Sequence, residues 1–110
     1  MSKAIYWQRG ESLDYVNTGV TVIEANSIID LNKHRIAVAG TSINPNEKGS
    51  IHVTGVYKIP KTDSGEIQFG ADVYFDGTGS TATAGSNTPA GYAAETSAAG
   101  ESQILVKLLG

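Results

Sequence analysis

The stretch Ile51-His52-Val53-Thr54-Gly55-Val56-Tyr57-Lys58-Ile59-Pro60 decides the fold. Ile51, Val53, Tyr57 and Ile59 alternate with His52, Thr54, Val56 and Lys58, a two-residue period that stands side chains on opposite faces of a strand. The pattern predicts one long strand over 51–59. Gly55 within it marks a bulge or a close backbone neighbour. Pro60 ends it, because proline has no N–H to give to a ladder.

Working outward, the same period returns in shorter runs. Strands are predicted at Val20–Glu24, Ser27–Leu31, Arg35–Ala39, Ala71–Phe75, Gly91–Thr96 and Gln103–Leu109. Ala25-Asn26 and Asn32-Lys33-His34 read as turns, since Asn tolerates positive φ better than most residues. In the last run Ile104, Val106 and Leu108 face inward while Leu105 and Leu109 make the other face apolar as well. Such a strand is central, or is covered by a neighbouring chain. The whole composition agrees: the chain holds ten Ile, ten Thr and eight Val against five Leu, and β-branched side chains suit a pleated surface. No window keeps the i, i+3, i+4, i+7 rhythm of an amphipathic helix. The fold expected is all-β, a small single-domain barrel or sandwich. Residues 1–19, which mix types without a period, are read as an extended N-terminal arm, and residues 20–110 as the domain. Asp76–Ala90, nearly all Gly, Ser, Thr and Ala, reads as a surface excursion.

The 110 residues carry a formal charge of −3 and no Cys. That excludes disulfide staples, thiol nucleophiles and sulfur-bound zinc, and it suits a reducing compartment. No run approaches the roughly 20 apolar residues that span a bilayer, and the start lacks the apolar core of a signal peptide. Eight scattered Lys/Arg give no basic surface for nucleic acid.

Motifs for chemistry fail in turn. Gly77-Thr78-Gly79-Ser80-Thr81-Ala82 matches a dinucleotide-binding string but lacks the helix and the acidic residue that the motif needs. His34 in a turn and His52 on a strand do not form a helical metal pair, and both read as surface histidines. Asp72 and Asp76 flank Tyr74 but read as a solvated strand edge rather than an acid/base pair. No catalytic, cofactor or metal residue is assigned, and no enzyme is expected.

Gly55-Val56-Tyr57-Lys58-Ile59-Pro60-Lys61 followed by Val73-Tyr74-Phe75-Asp76 resembles a small phage protein family. Gln8-Arg9-Gly10, Leu13-Asp14-Tyr15, Arg35–Ala39, Gly91-Tyr92-Ala93-Ala94 and Ile104–Leu108 fit the same pattern in order, over nearly the whole chain. The family is that of the capsid decoration (cement) proteins of tailed bacteriophages, similar to the head-decoration proteins of lambdoid phages. Asn26 and Asn46 stand where many members have a turn glycine, a position Asn can fill in the left-handed conformation.

The resemblance implies a non-enzymatic protein, made in the host cytoplasm and carried on the outer capsid surface. It implies attachment to the expanded head, as a homotrimer at three-fold positions, clamping neighbouring capsomers. The partner would be the major capsid protein, with no nucleic acid, membrane or cofactor involved. The capsid contact would come from the arm, at Ile5, Tyr6, Trp7, Gln8, Leu13 and Tyr15. Leu105 and Leu109 are the candidates for the subunit seam. Two other readings stand beside it: a tail or fibre-tip β domain, and a small-barrel nucleic-acid-binding accessory protein.

Overall fold

The computed structural model describes residues 2–109, so residues 1 and 110, the outer ends of the expected arm and domain, lie outside the described residues. Nine strands follow in order: β1 (Ser12–Val16), β2 (Ile28–Leu31), β3 (Arg35–Ala39), β4 (Lys48–His52), β5 (Val56–Pro60), β6 (Asp72–Phe75), β7 (Ser80–Thr81), β8 (Thr88–Ala93) and β9 (Gln103–Leu108). Among the described residues there is no helix. All pairings between these strands are antiparallel, in one sheet of order β1-β4-β3-β2 and another of order β5-β9-β8-β6-β7. The all-β expectation holds.

Three readings of the sequence are corrected. The stretch 51–59 is not one strand: Gly55 takes φ 116, a conformation glycine reaches without a Cβ clash, and the chain there leaves the first sheet for the second. The alternation reads straight through the break because Ile51 and Val53 enter one core and Ile59 the other in the same phase. Val20–Glu24 is no strand either. Only Ile23 bridges, to Ile43, because the turn at Asn44-Pro45-Asn46 interrupts its partner, and Val20 is 93% exposed. Finally, an arm running to residue 19 is not evident. Leu13 and Tyr15 alternate with Ser12 and Asp14, and Ser12–Val16 pairs along its whole length with β4.

The two sheets are two copies of one topology. β1, β2, β3 and β4 correspond to β5, β6, β8 and β9, in the same sheet order. The registers agree as well. Ser12 faces His52, His52 faces Val38 and Val38 faces Ile28; Val56 faces Lys107, Lys107 faces Tyr92 and Tyr92 faces Asp72. Hydrogen bonds outside the ladders recur too: Ile23 and Ile43 exchange backbone bonds as Ile67 and Ser97 do, and Asn26 N–H donates to Ala39 as Gly70 N–H does to Ala93. Buried Asn17 donates its amide to the carbonyl of Ile43 (3.0 Å), and buried Lys61 donates its ammonium to that of Ser97 (3.4 Å) and to Ala98 (2.9 Å). Asn26 and Asn46 take φ 70 and 66 where the second half has Gly70 at 88 and Gly100 at 84. The left-handed turn expected at both asparagines is present.

The halves differ chiefly between their second and third strands. The first half turns at Asn32-Lys33-His34; the second inserts residues 76–87, and β7 within that insertion pairs with β6 and bridges Ser80 to Lys61 at the end of β5. The Gly/Ser/Thr stretch thus covers the edge of β6, an edge that would otherwise invite pairing with another chain.

Each half has its own core. Ile29, Ala37, Ala39, Ile43, Ile51 and Val53 fill the first, and Ile59, Ile67, Val73, Phe75, Ala93, Ile104, Val106 and Leu108 the second. The other face of the first sheet sends Ile36 and Val38 into the second core. Asp30 accepts a 2.7 Å hydrogen bond from Thr88 across the same junction.

Candidate interaction surface

Residues 2–9 are exposed and carry no strand. Within them Ile5, Tyr6 and Trp7 are 88%, 80% and 88% exposed. Three consecutive large apolar residues left in water have no role in the chain's own packing; scattered single ones would need no explanation. The stretch is tied down only near its end. Gln8 donates weakly to Ser12 O at 3.4 Å, and Arg9 pairs with Glu11 at 2.7 Å. Both ends of that pair are exposed, so it adds little order. Gly10 at φ 82 then turns the chain into β1.

The six residues expected to share a contact are parted by the structure. Ile5, Tyr6, Trp7 and Gln8 lie in the free stretch, whereas Leu13 and Tyr15 lie in β1. Tyr15 packs against the first core and Leu13 shares its side of the strand. β1 is an edge of its sheet, so its outer backbone groups face away from β4.

The outer face of the second sheet is the other large surface. Val56, Lys107, Tyr92 and Asp72 form a row across it, with Lys58 opposite Leu105 in the next row. Leu105 lies on the outer face of a central strand, between β5 and β8. Leu109 follows that strand, half exposed. An open groove beside the face is lined by Lys58, Glu95, Glu101, Gln103 and Leu105.

Of the carboxylates singled out in the sequence, Asp72 is exposed and Asp76 holds a turn. Asp76 accepts from Thr62 Oγ1 (2.6 Å) and from the N–H groups of Thr78 and Gly79 (2.9 Å each). These bonds, the Thr62 one first, hold its carboxyl below the usual carboxylate range. Asp63 accepts from Gly65 and Ala82 N–H and from Thr81 Oγ1, and its pKa is lowered by the same means, Gly65 foremost. The two carboxylates therefore pin the first part of the insertion, residues 76–82, to the turn at 62–65. Sequence reasoning missed this, although Asp-Gly and Asp-Ser-Gly are ordinary signals of side chains that cap their own turns. Gly77–Ala82, the string that resembles a nucleotide motif, is the bend at 77–79 followed by β7 itself. His52 Nδ1 lies 2.9 Å from Ser12 Oγ, His34 is exposed in its turn, and no group of three metal-binding side chains occurs among the described residues.

A family model described as phage cement protein matches residues 7–108. Neither a curated protein nor a solved structure matches the chain.

Proposed function

The chain belongs to the phage cement protein family, and from that premise we propose that it is a structural, non-enzymatic part of the virion that binds the outer surface of an expanded phage head. The observation that carries this reading is the run Ile5-Tyr6-Trp7, fully presented to solvent beside an open sheet edge. In this account the partner is the major capsid protein. Residues 4–8 add to a strand edge of the shell by main-chain bonds while the aromatic side chains fill pockets. Tyr and Trp suit that task, since they bring large contact area at small entropic cost and are frequent hot spots. Gln8 supplies polar contacts at the margin. Leu13 extends the apolar surface along the edge strand, and Tyr15 serves indirectly by fixing that strand to the core.

A homotrimer at three-fold positions fits the same reading. Once one arm is seated, the second and third contacts become intramolecular, so arms that bind weakly alone sum to a firm clamp across neighbouring capsomers. The chain's charge of −3 is no obstacle on the outside of a shell, where DNA is not touched.

The test is co-sedimentation of the purified protein with the parent phage's shells, unexpanded and expanded, beside a version lacking residues 1–10. The truncation stops there because residue 12 opens β1. Saturable binding to expanded shells, lost with the truncation, is the expected result. Equal binding by the truncated protein removes the arm from the account. No binding to either shell removes the capsid.

A further inference from the structure

The internal duplication gives each outer strand edge a counterpart, and the counterparts are not protected alike. Along β1 alternate residues serve the ladder to β4. Glu11 C=O accepts from Val53 N–H, and Asn17 N–H donates to Glu47, so the backbone groups of Ser12, Asp14 and Val16 point away from the sheet. Along β5 the same phase, fixed by Gly55 with Leu108 and by Lys61 with Ser102, turns Val56, Lys58 and Pro60 outward. The β5 edge is therefore blunted twice, by a lysine at its centre and by a proline without an N–H at its end. β7 covers the edge of β6, and β2 turns a carboxylate, Asp30, toward the second half, where Thr88 donates to it. β1 lacks the proline and the lysine: Val16 stands where β5 has Pro60, and Asp14 where it has Lys58. Ser12 C=O takes a weak bond from Gln8 at 3.4 Å, and among the described residues no backbone bond reaches the N–H groups of Asp14 or Val16.

We propose that the edge of β1 accepts an extended strand of the shell protein, with a basic side chain opposite Asp14 and an aliphatic one beside Leu13. The inference rests on the capsid reading above and adds a second contact to it, in which the shell supplies the strand and this chain the sheet. Leu13 carries the apolar part. It lies on the core side of β1 with Tyr15, yet it is 40% exposed, because no strand lies beyond it to cover that flank. Its counterpart Tyr57 is half-buried against the second core. Asp14 carries the charge. It is exposed and its neighbour across the ladder is the uncharged Ser50, so a cation on the added strand meets no competitor there, and opposite charges directly across a pair are favourable. The same residue speaks against pairing with a second copy. Two β1 strands overlapped antiparallel about their centres would set Asp14 against Asp14, a like-charge pair that is destabilising. The exposed arm enters β1 through Gly10, so residues 4–8 and this edge lie in series and grip one shell surface together.

The test is residue-resolved hydrogen exchange on the full-length chain, free and bound to expanded shells, with titrated co-sedimentation of two variants. Val16→Pro and Asp14→Lys copy the β5 edge onto β1, and neither removes a backbone bond that the fold uses. Pro60→Val is the control, since it unblocks the β5 edge instead. On shells alone, exchange of the Asp14 and Val16 amides slows; both variants bind at least ~10-fold more weakly at unchanged melting temperature, and the control binds like the unaltered chain. If Val16→Pro lowers the melting temperature, Asp14→Lys, which leaves the backbone intact, decides. Edge variants that bind like the unaltered chain overturn the proposal, as do amides that exchange alike free and bound. Slowing of those amides in concentrated protein without shells overturns it too, since the edge then pairs copies of this chain. Binding lost with residues 1–10 but kept by the edge variants sinks this inference alone. Binding lost by the edge variants but kept by the truncated chain sinks the arm alone, and a chain that ignores every shell sinks the capsid reading and this inference with it.

Discussion

Replacing Gly91 with alanine puts a methyl group where the second sheet has no room. A Cβ built on Gly91 lies 1.9 Å from the carbonyl oxygen of Lys107 and 2.9 Å from its carbon, and real Cβ contacts essentially never fall below 3.0 Å. These atoms are backbone, so no side chain can swing aside, and β8 must part from β9 by about 1 Å. Gly91 pairs with Leu108 at that point of the ladder, and a separation of that size breaks one or two ladder bonds, each worth about 1 kcal/mol net. The backbone conformation, φ 149, adds about 1–3 kcal/mol for a residue with a side chain. The total is about 2–5 kcal/mol, or a fall of roughly 8–20 °C in melting temperature for a domain of this size.

Gly70 is the control that separates the two causes. Its φ is 88, but nothing lies within 4 Å of its would-be Cβ, so Gly70→Ala carries the conformational cost alone, about 1–2 kcal/mol. Gly70→Asn costs less still, because Asn26 holds the corresponding turn of the first half at φ 70. Thermal and urea melts followed by circular dichroism rank the three variants. A Gly91→Ala protein that melts with Gly70→Ala refutes the steric argument. Gly70→Asn as costly as Gly70→Ala refutes the correspondence between the halves.

Three further outcomes follow from the same geometry. Trp7→Ala leaves the melting temperature unchanged, because the side chain is free in the isolated protein, yet weakens binding to expanded shells by about 2–3 kcal/mol, roughly 30- to 150-fold, if Trp7 is a contact centre; a titrated co-sedimentation reads both limits. Asp63 and Asp76 have lowered pKa values in the folded chain, so their contribution is complete above the unfolded carboxylate value near ~3.9 and is lost as pH falls through the lower folded values. Urea melts against pH show that loss, and Asp76→Asn, costing about 1 kcal/mol at neutral pH, flattens the slope. Lys61→Met keeps the buried stem but removes the ammonium bonds to the carbonyls of Ser97 and Ala98, each of which keeps one backbone donor, Ile67 and Glu101 N–H, so the loss is about 1 kcal/mol in the same melts.

The sequence made some elements plain and hid others for identifiable reasons. Arg35–Ala39 emerges as read, because it is a short apolar run closed by a turn on one side and a glycine on the other. Ile104, Val106 and Leu108 are buried as their alternation demands, and the two-sided apolar character of that strand reflects its central place in the sheet. The break at Gly55 was invisible to periodicity, since both sheets bury the same phase of side chains. β7 was hidden because two residues, Ser80 and Thr81, carry no apolar signal; their pairing is set by bonds to neighbouring strands and by Asp63. The duplication was hidden most deeply. Few identities survive between halves, as at Ile23 and Ile67 or Ala39 and Ala93, and the insertion at 76–87 shifts the spacing between corresponding residues midway. Only the hydrogen-bond pattern exposes it. As for the surface, Ile5-Tyr6-Trp7 stood out in sequence as an apolar burst without a period, whereas the strand signal of Leu13 and Tyr15 is an alternation of only four residues, Ser12 to Tyr15, that an aperiodic opening masks.

Whether the first ten residues hold this protein to an expanded shell is the question on which the account stands, and sedimentation of shells with the full chain and with the chain lacking residues 1–10 answers it most directly. The account predicts saturable binding of the full chain to expanded shells, and loss of that binding in a truncated protein whose melting curve is unaltered. Undiminished binding by a folded, truncated protein would contradict it.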